Sequence, residues 1–147
     1  MPYLRLVCPA LPLETRREIA QRLTLEIVRL FWESKSGQTE QTVRDHTTVH
    51  FVPFEDGELF IGGQTPLERG ALDITAELSD WSMSVKKQRR IALALTPVLA
   101  EVFGVADVGG VNLRFHSYPP TDFSVGGVLL SDRVPRVGQI MKKLMDR

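Results

Sequence analysis

The chain has one cysteine, no long apolar run and no surplus of either charge. The lone Cys8 cannot close an intramolecular disulfide, which fits a reducing, cytoplasmic compartment and a buried structural thiol. No stretch approaches the roughly 20 apolar residues of a membrane span, and no secretory leader is apparent. Lys plus Arg and Asp plus Glu each total 18, for a formal net charge of zero. That balance argues against nucleic acid or an anionic membrane as partner. His46, His50 and His116 lack metal-ligand spacing. No G-x-G-x-x-G opens a helix after a strand, so Gly62-Gly63 and Gly126-Gly127 read as positive-φ turns. No Ser/His/Asp triad signature appears. Nothing in these patterns calls for a metal or an organic cofactor.

What is present is the composition of a globular chain: 147 residues, 43% hydrophobic and 24% charged. That is long enough to bury a core as a single domain, 1–147. Residues 3–8, Tyr-Leu-Arg-Leu-Val-Cys, read as a strand. From Leu13 to about Glu33 the apolar Ile19, Leu23, Ile27, Leu30 and Phe31 recur at helical spacing. Residues 34–46 read as a polar loop, and Thr47–Val52 as a second strand ending at Pro53. Glu55-Asp56-Gly57 forms a turn before Leu59–Gly63.

The second half repeats this order. Ala71–Leu78 reads as a strand, followed by a turn around Asp80, a helix over Ser84–Phe103, a strand over Val111–His116, and Phe123-Ser124-Val125-Gly126-Gly127. Ile91, Leu95, Leu99, Val102 and Phe103 lie 72 residues beyond the five apolar positions of the first helix, and Gly126-Gly127 lie 64 beyond Gly62-Gly63. Pro97 falls at the place of Leu25 and is expected to kink its helix.

Each strand–helix–strand unit implies a parallel pair with a right-handed crossover. Two of them make an α/β domain, a four-stranded sheet with two helices on one face. Repeat 1 spans about 2–63 and repeat 2 about 71–127. Leu and Val alternate along the strands, so the uncovered face calls for a partner and hence an oligomer. A C-terminal arm over about 128–147 carries Ile140, Met141, Leu144 and Met145. It reads equally as a solvated helix or a partner-docking segment.

The second residue is Pro2. An initiator Met before a small residue is normally removed, which would leave the secondary amine of Pro2 as the chain terminus. An ordinary α-amine titrates at about 7.7–8.0. Burial beside a cation lowers that value, because both effects disfavour the charged form. A neutral secondary amine near pH 7 is a competent general base or nucleophile.

Pro2 on a first strand, two β-α-β units and a Gly-Gly turn after the second strand of each together resemble the tautomerase superfamily. Val49-His50-Phe51-Val52-Pro53 before Gly62-Gly63 is similar to the matching segment of its macrophage migration inhibitory factor branch. Phe123-Ser124-Val125-Gly126-Gly127 is similar to a motif of its 4-oxalocrotonate tautomerase branch. The resemblance covers about residues 2–130, and the chain length matches fused, trimeric, two-repeat members. It implies a tautomerase-like isomerase, with Pro2 as general base on a small 2-keto or enol acid, and a homotrimer. It further implies Arg114 and Asn112 as the hold on a substrate carboxylate, and Phe123 as an apolar wall. Family arginines are replaced by Pro12-Leu13 after the first strand and by Ser79-Asp80-Trp81-Ser82 after the third. Alternatives are a Pro-dependent dehalogenase, hydratase or decarboxylase, or a catalytically silent trimeric binding or signalling protein. Arg114 also reads as a surface salt-bridge residue, His116 as structural, and Trp81 as a hydrophobic lead-in to the second helix or a pocket cover.

Overall fold

The computed structural model describes residues 1–134, 140, 142–144 and 146–147. β1 (Tyr3–Pro9) leads into α1 (Leu13–Phe31), a short α2 (Glu40–Asp45) and β2 (Thr48–Phe54). After a single turn, α3 (Pro66–Arg69), the order recurs as β3 (Ile74–Trp81), α4 (Val85–Phe103) and β4 (Val111–Tyr118). A hairpin of β5 (Ser124–Val125) and β6 (Val128–Leu129) then enters α5 (Leu130–Arg133).

The four long strands form one sheet in the order β2-β1-β3-β4. β1 pairs parallel with β2 and β3 with β4, while β1 and β3 run antiparallel. The expected α/β architecture is therefore present, with two parallel units joined back to back. α1 and α4 are each 19 residues long. Their apolar stripes, Ile19-Leu23-Ile27 and Ile91-Leu95-Leu99, bury against Leu4, Leu6, Ala76 and Leu78 on one sheet face. Strand alternation sends Arg5, Asn112, Arg114 and His116 to the opposite face, where they are exposed. That face is more polar than the expected alternation of Leu and Val, with Val7 and Val52 as half-buried aliphatics on it.

Several boundaries differ from the sequence reading. Residues 34–46 are not all loop: Thr39 accepts a hydrogen bond from the Thr42 N–H and caps α2, whose one buried residue is Val43. β2 runs through Pro53, which is tolerated because β2 is a sheet edge. α4 continues past Pro97, and Ser84 caps its start. β3 starts and ends three residues later than expected, so Asp80 lies inside the strand rather than in a turn. Both Gly-Gly pairs have positive φ, and Gly126-Gly127 join β5 to β6. In the C-terminal arm, Met141 and Met145 lie outside the described residues, whereas Lys142 and Asp146 dock on their own chain.

Candidate active site

Antiparallel pairing of β1 and β3 places the end of β3 beside the start of β1, with Tyr3 opposite Ser79. The next residue on each strand, Pro2 and Asp80, is buried. Alternation explains Asp80: it continues the inward row of Ala76 and Leu78. An inward carboxylate is costly without partners, and Asp80 has two. The Met1 ammonium donates to its Oδ1 at 2.7 Å, and Lys142 Nζ lies 3.7 Å from its Oδ2.

These residues border a cavity of about 560 Å³ that is also lined by Phe31, Trp81, Lys87 and Asp146. Thr42 of α2 and His46, which caps its end, contribute to it as well. Lys142 donates to the Trp81 carbonyl at 2.8 Å, and its ammonium sits 3.7 Å from the indole centroid. Burial pushes the Lys142 pKa down to about 8, and the nearby Asp80 carboxylate opposes the shift. Lys87, in the first turn of α4 and 5% exposed, lies 4.5 Å over the Phe31 ring and 3.6 Å from Asp146 Oδ1. Tyr118 closes β4 nearby. Burial, with a further push from the Asp80 charge, raises its hydroxyl to about 12. Between β3 and α4, Ser82 adopts φ 51°, a left-handed conformation uncommon for a residue with a side chain.

Of the residues singled out from the sequence, Pro2 lines this cavity and Asn112, Arg114 and Phe123 do not. Asn112 and Arg114 stand on the uncovered sheet face, registered opposite Thr75 and Glu77. His116 bonds Glu77 there at 3.2 Å. Phe123 packs on Tyr118 with ring centroids 5.7 Å apart. Its carbonyl accepts from the N–H of Leu130, which does line the cavity. Trp81 is both the lead-in to α4 and a cavity wall.

Sequence reasoning missed Asp80, Lys87, Lys142 and Asp146. Only Asp80 carried a signal, as a charge on the inward phase of a strand.

A four-stranded sheet of two parallel units with two helices on one face is the fold of solved tautomerase- and MIF-like structures. The chain is similar in structure to a wild-type fused 4-OT solved as an asymmetric trimer, with a TM-score of 0.68, 16% identity, and coverage of 90% of this chain and 99% of that one. It is similar to N1, a member of the cis-3-chloroacrylic acid dehalogenase family, with a TM-score of 0.65, 16% identity and 99% coverage of both chains. It is also similar to Pt0534 inactivated by 2-oxo-3-pentynoate, with a TM-score of 0.69, 15% identity, and coverage of 91% and 99%. No family model matches the sequence, and no curated protein does.

Proposed function

We propose that this protein is a tautomerase-like isomerase of small 2-keto or enol acids, working in the cytoplasm as a homotrimer with Pro2 as the base. The observation that carries this reading is the burial of Pro2 in the wall of a cavity that also holds Lys87 and Lys142. Removal of Met1 would make the Pro2 nitrogen the chain terminus inside that wall. In the neutral amine the nitrogen lone pair takes the enol proton, the C–O bond becomes a carbonyl, and the same nitrogen returns the proton to carbon. The inactivation of Pt0534 by a 2-oxo acid and the trimeric state of a fused 4-OT support substrate class and assembly. Asn112, Arg114 and Phe123 contribute, in this reading, across the subunit interface of the trimer.

Ultraviolet absorbance with phenylpyruvate and 2-hydroxymuconate tests the reading. Turnover is expected in the wild type and a loss of at least about 100-fold in Pro2→Ala, the usual worth of a positioned base. Unchanged activity in that variant overturns it.

One observation favours a second reading. Asp80 is a buried carboxylate at the residue-1 amine and could activate water, as a Pro-dependent hydratase or dehalogenase requires. Halide release from 3-haloacrylates, lost in Asp80→Asn, would select it.

A further inference from the structure

The cavity that holds Pro2 has, besides Asp80, another buried carboxylate in it, and that carboxylate is incompletely satisfied. Asp146 is 6% exposed. Its Oδ1 faces Lys87 Nζ at 3.6 Å, beyond hydrogen-bond length, and the Ser84 hydroxyl donates to its main-chain carbonyl. Its Oδ2 is buried without a hydrogen-bond partner among the described residues. Buried polar oxygens are normally paired, and an idle one is destabilising, more so when charged. Asp146 therefore sits where a carboxylate is wanted but does not itself fit well.

The surroundings say why a carboxylate is wanted. Lys87 and Ser84 open a helix of 19 residues, whose dipole favours an anion at that end, while the Ser84 hydroxyl oxygen accepts from the Lys87 N–H. The Phe31 ring under the Lys87 ammonium fixes its position. Of the other lysines lining the cavity, Lys35 is exposed and Lys142 is held by Asp80 and by the Trp81 carbonyl. Lys87 is the cation of the cavity whose partner is a loosely seated carboxylate.

We propose that Lys87 and the start of α4 form the carboxylate-binding subsite of the Pro2 cavity, and that Asp146 occupies it until a small carboxylate ligand displaces it. The inference rests on the Pro2 cavity being the site of a small keto acid, and it supplies the anchor that the missing family arginines leave open.

Titration calorimetry with malonate, and with its neutral analogue malonamide, tests the subsite without requiring turnover. Malonate is expected to bind and malonamide not. Asp146→Asn, which removes the competing charge, should tighten malonate at least threefold, and Lys87→Met should weaken it at least tenfold with an unchanged circular dichroism spectrum. If Lys87→Met does not fold, Asp146→Asn decides alone: tighter binding supports the subsite, and unchanged binding overturns it. Malonate affinity indifferent to both substitutions, or no malonate binding in wild type and Asp146→Asn, also overturns it. Lys87-dependent binding by a protein that turns over no keto acid would retire the proposed reaction and leave the subsite standing. Pro2-dependent turnover with malonate binding indifferent to Lys87 would do the reverse.

Discussion

Lys142 is tied to Trp81 twice over, by its ammonium 3.7 Å from the indole centroid and by a 2.8 Å hydrogen bond to the Trp81 carbonyl. The two residues are 61 positions apart, so this pairing pins the C-terminal arm to the end of β3, beside Pro2.

The first prediction concerns pH. The folded Lys142 pKa lies at about 8, below its ordinary 10.5. Between those values the unfolded chain holds a proton that the folded chain has released, so this group raises stability as pH rises from about 8 to 10.5, and below pH 8 it is a penalty. Tm measured across that window should climb more steeply, or fall less, in wild type than in Lys142→Met. Trp81 emission should titrate near pH 8 in wild type alone.

Intact-mass spectrometry of protein purified from its own host should show the chain lighter by one methionine. A halopyruvate should then label Pro2 and abolish activity, and substrate should protect. A host protein that keeps Met1 and still turns over a keto acid would end the role assigned to Pro2, whose nitrogen would be an amide.

Sedimentation equilibrium at micromolar concentration should report three chains. A mass of one chain would remove the interface across which Arg114 is proposed to act.

Cys8 should resist disulfide reagents in the native protein. It is 1% exposed, and burial raises its pKa although the Arg16 charge opposes the rise. Reactive thiolate is scarce on both counts. Modification should appear only with unfolding, at the rate of the global transition.

Leu95→Ala should cost about 2–5 kcal/mol in urea denaturation, since the side chain is fully buried between α4 and the sheet. Leu93→Ala, on the same helix but 80% exposed, should stay within about 0.5 kcal/mol.

The helices were legible in the sequence because each has its own apolar stripe, and the 72-residue offset then tied one to the other. Ile19, Leu23, Ile27 and their counterparts are buried as that stripe requires. The end of β3 was not legible, because Ser79 and Asp80 look like turn formers. Asp80 stays in the strand because β4 extends the ladder beside it, with Ser117 opposite, and its inward carboxylate meets an amine 79 positions away; no local pattern records either. α2 escaped because only Val43 on it is buried, leaving nothing periodic to detect. Of the cavity wall, only Pro2 and Trp81 were singled out from the sequence. Lys87 sits in the run Val85-Lys86-Lys87-Gln88-Arg89-Arg90, which reads as a solvated helix surface, and only tertiary packing separates Lys87 from its neighbours. Lys142 and Asp146 belong to an arm whose docking depends on Trp81 and Ser84, both distant in the chain.

The offset that superposes α1 on α4 also carries Pro2 onto Ile74 and Cys8 onto Asp80. Ile74 is fully buried and its nitrogen is locked in a peptide bond. The second half thus has no counterpart to a chain end, while the first half has a thiol where the second has a carboxylate. The two halves are alike in architecture and unlike in chemical endowment, with the terminus in one and Asp80 and Lys87 in the other. Neither half, excised as a separate peptide, would carry Pro2, Asp80 and Lys87 together, and a homomer of either could not regain the set by symmetry.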